Sequence, residues 1–244
     1  KIFLACLRRK IPYNNEPGDA MPQQKILLAL ILLLAFPVQA PAVNFYDGAR
    51  APKGFYFLTY SSLYSADKTT DARGKTAKED YGYLKIEEMF RVCYYSPQWV
   101  LTAFVPFGTV RSGFYNSSSQ GIGDINLGTG YFLPVKQADI LPMLFLKLPT
   151  GEYDSGKPVN YGTNQYDIKP AVFFYKGLGR LSMDAAVKYH VRTKNPGTEV
   201  SPGNELYLQL LLGWQISERC KAGPSINWMK SANRESFSLG ADVY

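Results

Sequence analysis

Any acid–base chemistry in this chain that uses an imidazole must pass through His190, the only histidine. It shares one stretch with Ser182 and Asp184. Those residue types make up a hydrolytic triad: a serine to attack, an imidazole to take its proton, a carboxylate to orient the ring. The spacing argues against it. In residues 181–192, Leu181, Met183, Ala185, Val187, Tyr189 and Val191 are apolar or aromatic. Ser182, Asp184, Lys188, His190 and Arg192 alternate with them, and only Ala186 interrupts the polar set. A period of two is that of a β-strand. Ser182 then stands eight residues from His190, about 26 Å at roughly 3.3 Å per residue. A direct contact is impossible, so a serine from another strand would be needed. The simpler reading makes His190 a polar residue on one strand face. One histidine and no acidic cluster of ligand spacing also point away from a metal.

Two glycine motifs fail in the same way. Gly151–Pro158 resembles a phosphate-binding loop, but Pro158 stands where a Ser or Thr would hold magnesium, and no helical pattern follows. Gly121-Ile122-Gly123 lacks the third glycine of a dinucleotide fingerprint and runs into alternating residues. These readings predict no catalytic residue, no cofactor and no bound metal.

The elements that carry these residues are strands. Nothing after residue 42 reads as a long helix, and turn residues punctuate the chain every ten to twenty positions. Ten strands are predicted, at roughly 53–64, 82–95, 98–108, 121–133, 139–148, 165–176, 180–192, 204–216, 219–229 and 237–244. Their connections alternate in length. Ser65–Asp80, Thr109–Gln120, Pro149–Asn164 and Thr193–Gly203 are long; Ser96–Gln98, Pro134–Ala138, Gly177–Gly179 and Ser217–Glu218 are short. Alternation alone fits a soluble antiparallel sheet or a membrane barrel equally. Loop lengths sorted by end are a barrel trait, with short periplasmic turns and longer external loops. Tyr94, Trp99, Phe107, Tyr131, Trp214 and Trp228 cluster near strand ends, as in an interfacial girdle.

Parity then divides the strands. Leu206, Leu208, Leu210, Leu212 and Trp214 fall on the lipid side. The lumen-lining candidates are Lys85, Arg91, Asp124, Lys147, Asp167, Lys169, Phe173, Asp184, Lys188, His190, Arg192, Glu205 and Tyr207, with Glu87, Phe145 and Tyr175 in phase. Glu88 conflicts, since it falls on the lipid side between Ile86 and Phe90. A bulge or an interfacial position would account for it. Phe237, Leu239, Ala241 and Val243 are outward, which leaves Tyr244 on the lumen side. The aromatic ending typical of such barrels is out of phase, and an incomplete C-terminus is expected.

Residues upstream set the compartment. Met21–Lys25 is a short basic start, Ile26–Phe36 an unbroken apolar run, and Ala40-Pro41-Ala42 a small-residue cleavage site. This is the order of a secretory signal peptide over 21–42. Residues 1–20 are expected to lie outside the fold, and 43–244 to form one barrel domain. Without residues 1–42 the chain keeps 22 basic and 18 acidic residues, a net +4. Charges so dispersed make no nucleic-acid footprint. Cys93 and Cys220 fall on opposite faces and are not expected to pair.

With the strands in place, three segments resemble a known family. They are Gly121–Gly128, Leu148–Gly151 and Ser201–Glu205. Their order and spacing resemble the MetA-pathway of phenol degradation family, over most of the chain after residue 42 and best from about 120 to 230. The resemblance implies a Gram-negative outer-membrane β-barrel, a transporter near aromatic-degradation pathways, with no catalytic motif. The expectation is an all-β, antiparallel up-and-down transmembrane barrel of 10–12 strands in the outer membrane. It would contact outer-membrane lipid and let small solutes, aromatic or hydrophobic among them, pass without an energy source. The alternatives are a non-conducting barrel whose loops Ser65–Asp80 and Pro149–Asn164 bind partners, and a barrel lipid hydrolase.

Overall fold

The computed structural model describes residues 46–70, 76–78, 81–218, 220–231 and 234–243. Residues 1–20, the segment 21–42 expected to be a signal peptide, and Tyr244 lie outside them. Strands account for nearly all regular structure: β1 Gly54–Ala66, β2 Thr69–Thr70, β3 Thr76–Lys78, β4 Tyr83–Tyr95, β5 Trp99–Ser112, β6 Ser117–Ile122, β7 Asn126–Tyr131, β8 Asp139–Lys147, β9 Asp167–Leu178, β10 Leu181–Arg192, β11 Glu205–Ser217, β12 Cys220–Ser231 and β13 Arg234–Val243. Each strand pairs antiparallel with its sequence neighbours in the order β1-β4-β5-β7-β8-β9-β10-β11-β12-β13, while β6 also pairs with β5. The hairpin β2–β3 stands apart. The sheet curls into a half-barrel, and among the described residues no pairing joins β1 to β13.

Local chemistry sets the short turns. At β4–β5 the Ser96 hydroxyl accepts from the backbone N–H of Trp99 at 2.7 Å, a side-chain turn that leaves no slack between the strands. At β9–β10 only Gly179 and Arg180 separate the paired Leu178 and Leu181, and Gly179 has φ 63°. A two-residue hairpin of the kind that twists with its strands needs such a left-handed residue.

Two expectations change here. Thr109–Gln120 is not an open loop: β5 runs on to Ser112, and β6 returns beside it after a turn at Gly113–Asn116. The strand expected at 121–133 is interrupted at 123–125, so that β6 and β7 share β5 as partner in succession. Nor is there a bulge at Glu88. The registers of β1–β4 and β4–β5 run through it without a shift. Glu88 does face outward, and the Ser61 hydroxyl of β1, directly opposite, donates to its carboxylate.

The two faces differ as the alternation predicts. In β10, Ser182, Asp184 and Ala186 are buried while Leu181, Val187, Tyr189 and Val191 are exposed. In β11, Gln209 and Leu211 are buried while Leu208, Leu212 and Trp214 are exposed. The outer face continues with Phe55, Phe57, Trp99, Leu101, Leu144 and Val172. Leaving each such side chain in water forgoes about 1.5–3 kcal/mol of burial, so a belt of this extent calls for an apolar surrounding. On the inner face, Tyr56, Cys93, Tyr95, Val100, Phe132, Leu141, Met143, Ala171, Phe173, Ala186 and Leu211 form one cluster, toward the short-turn end. Cys93 and Cys220 are free thiols.

Candidate functional site: the inner face

Three layers make up the inner face. At the long-loop end stands Asp124, in the break between β6 and β7 and only 6% exposed. Its Oδ1 accepts from the Gly151 N–H at 2.9 Å. Its Oδ2 accepts from the Thr163 N–H at 2.9 Å and the Thr163 hydroxyl at 2.5 Å. Lys147 of β8 lies 3.6 Å from Asp124 and 2.8 Å from Asp167 of β9. These contacts draw residues 148–166 inward over the wall. Tyr161 completes the docking. Its N–H donates to the Ser119 Oγ at 3.1 Å, and its hydroxyl to the Glu87 Oε2 at 3.0 Å. Val159 and Tyr161 are buried against Val110, with Tyr83 beside them. A side chain on Gly108 would clash with the Ile86 carbonyl oxygen of β4 and meet the Tyr161 hydroxyl at 2.9 Å, so glycine lets both the neighbouring strand and the phenol approach. Burial, together with the Glu87 carboxylate that accepts its hydrogen bond, holds the Tyr161 phenol above its usual range.

The stretch 151–158 with its false phosphate-loop pattern is thus part of an inward-folded strap. Glu152 and the tip, 154–158, are exposed, while Gly151 and Tyr153 are half-buried. The long loop expected at Pro149–Asn164 is a loop, and it is docked on the inner face through Asp124. The neighbouring long loop is tied to it: the Asn195 side-chain amide donates to the Thr163 carbonyl at 2.8 Å.

The middle layer is aromatic and cationic. The Arg91 guanidinium lies 4.9 Å from the Phe104 ring centroid. Phe104 meets Phe145 at 6.2 Å, and Phe145 meets Phe173 edge-on at 6.3 Å. The Lys188 ammonium sits 5.1 Å from the Phe173 centroid. Lys169 donates to the Asn126 Oδ1 at 2.8 Å. His190 is 3.8 Å from Glu205 and packs on the Tyr207 ring at 4.8 Å. Arg192 pairs with Glu205 at 3.1 Å. Lys85, above, is 2.5 Å from Glu87. Ser182 accepts from Lys221 at 2.9 Å. A hydroxyl so engaged, eight residues along β10 from His190, gives that histidine no nucleophile on its own strand.

At the short-turn end, a segment ahead of β1 lies on the inner face. The Tyr46 N–H donates to the Oδ1 of Asp184, which has no exposed surface, at 2.7 Å. Asp47 pairs with Arg91 at 3.4 Å. Gly48 lies against Phe173 and Phe174, which leave a Cβ only 3.1 Å. The Arg50 N–H donates to Asp139 at 2.8 Å, and its guanidinium stacks 4.6 Å from the Phe132 centroid. Lys221 lies 4.1 Å from the Tyr46 centroid.

The predicted residues therefore fall into separate groups. Asp124, Lys147 and Asp167 meet in one network. Lys169, Phe173, Lys188, His190, Arg192, Glu205 and Tyr207 gather on β9–β11. Arg91 and Asp184 each hold the 46–50 segment. Lys85 belongs with Tyr161, 5.3 Å from its centroid. Sequence reasoning missed Asp47, Arg50, Tyr161 and Lys221. Lys221 has a signal, because it shares the inward phase of β12; the other three lie outside strands, where parity says nothing.

The sequence profile of one family matches residues 62–242. The chain belongs to the family described as "Putative MetA-pathway of phenol degradation". The match takes in β4 through β12 whole, and with them the strap and the middle layer. The fold is also that of the COG4313 outer membrane channel from Pseudomonas putida F1, at a TM-score of 0.70 and 16% identity, over 81% of this chain and 79% of that one. No curated protein matches the chain.

Proposed function

We propose that this protein is an outer-membrane β-barrel channel for passive movement of small solutes, aromatic ones among them. The observation that carries the reading is the pairing of two opposite faces on one sheet. The outer belt of Phe55, Phe57, Trp99, Leu144 and Trp214 suits lipid. The inner face offers charge and aromatic rings at the same level. Likeness in fold to a channel supports this, as does a family description that concerns phenol degradation. The lumen-lining residues are those predicted from parity. The long loops then lie outside the cell and the short turns in the periplasm. The 21–42 segment serves as the export signal. No residue acts as a catalyst.

A second reading has one observation in its favour: chain covers the inner face at both ends, which suits a non-conducting barrel. Planar-bilayer recording with purified protein separates the two. Discrete conductance steps support the channel. A protein that inserts, shown by heat-modifiable gel mobility, yet never conducts and releases no aromatic solute from liposomes would refute it.

A further inference from the structure

We infer that the middle of the inner face is a binding site for an aromatic carboxylate, drawn by Lys169 and Lys188 and seated beside Phe145 and Tyr207. The inference rests on the inner face being the solute's route and names the solute's chemistry.

The argument begins with charge. Most inner-face cations have a carboxylate: Arg91 has Asp47, Lys147 has Asp167, Arg192 has Glu205 and Lys85 has Glu87. Lys221 is bound to Ser182. Lys169 and Lys188 differ. Lys169 has a neutral amide oxygen as its hydrogen-bond acceptor, and Lys188 has the face of Phe173. Among the described residues neither has a carboxylate within ion-pair distance. The carboxylates that might serve are engaged elsewhere, Asp47 with Arg91 and Asp167 with Lys147.

The register brings these two cations together. Lys188 pairs across β9–β10 with Ala171, and Lys169 is two residues away on that strand, on the same face. Such diagonal neighbours stand about 7–8 Å apart at the backbone. Two cations carried on neighbouring strands of one face, neither with a carboxylate of its own, leave positive charge that an anion would balance. A carboxylate can accept from one ammonium on each oxygen.

Aromatic side chains flank both lysines. Phe145 is opposite Lys169 on β8, and Tyr207 is opposite Lys188 on β11. Phe145 and Phe173 present an edge-to-face pair whose centroids are 6.3 Å apart. Phe173 is buried, so a planar ring carried by the carboxylate would pack on the half-buried Phe145. An aliphatic acid would meet the charges but not the rings, and a neutral phenol the rings but not the charges.

The test uses benzoate and full-length protein in detergent. Titration calorimetry reads binding whether or not the barrel conducts. The expected result is saturable binding of one benzoate, weakened at least about tenfold in Lys188→Gln and again in Lys169→Gln, with acetate and phenol each at least about tenfold weaker than benzoate. Heat-modifiable mobility checks that each variant is folded, and a misfolded Gln variant is replaced by Lys188→Met or Lys169→Met. Benzoate binding that is unchanged in both folded variants, or no tighter than acetate or phenol, overturns the inference. Conductance without benzoate binding would remove the site and leave the channel; benzoate binding without conductance would do the reverse.

Discussion

The two ends of the inner face are held by different physics. At the short-turn end, Phe132, Leu141, Val100 and Leu211 pack with almost no exposed surface, and residues 46–50 lie against them. At the long-loop end, Asp124 and Lys147 gather hydrogen bonds and ion pairs from β8, β9 and the strap at 148–166. An apolar cluster tolerates small shifts, since its gain scales with area. A buried polar network does not, since losing one partner leaves another unsatisfied. The first end resembles a foundation and the second a latch.

Variants at each end should therefore fail differently. Asp124→Ala is expected to have the largest effect. It strands the N–H groups of Gly151 and Thr163 and leaves Lys147 with Asp167 and the Thr163 hydroxyl. Breaking a buried charged network of this kind costs about 3–5 kcal/mol. Urea unfolding in detergent should show it, and the freed strap should raise single-channel conductance. Leu141→Ala tests the other end. A cavity there should cost about 2–4 kcal/mol with conductance unchanged, because the latch is intact. Asp47→Asn comes next, at about 1–3 kcal/mol: Arg91 loses its carboxylate but keeps Tyr60 and Thr102 as acceptors. If it opens the channel as widely as Asp124→Ala does, the 46–50 segment is a second latch and the contrast between the ends collapses.

Tyr161→Phe should be the mildest, about 1 kcal/mol for one hydrogen bond to Glu87. Its pH dependence has a defined sign. The folded-state phenol titrates above its unfolded value. Its contribution is then full below the ordinary phenol pKa of about 10 and is lost as pH rises through the folded one. Wild type and Tyr161→Phe should accordingly converge in strap stability only at strongly alkaline pH, read as conductance against pH.

The difference between the ends also explains what could be read from the residues alone. The strand faces were legible because each obeys a period of two, as Asp184 beside Leu181 and Val187 shows. Ser182 and His190 could be kept apart by arithmetic on one strand. The strap could not be foreseen. Alternation stops at Leu148, and nothing in 149–164 says whether it turns outward or folds in. Its inward course depends on Asp124, whose partners Gly151 and Thr163 are distant in sequence. Residues 46–50 were hidden for the same reason. Glu88 looked like an error of register because parity has no term for a cross-strand partner; Ser61 supplies one.

The central claim is that the exposed apolar face meets lipid. Trp99 and Trp214 report on it directly, being 52% and 50% exposed on that face. Protein reconstituted in vesicles with brominated acyl chains should lose most of its tryptophan fluorescence, while aqueous acrylamide should quench it weakly. Strong quenching by acrylamide with none by brominated lipid would place that face in water and contradict the account.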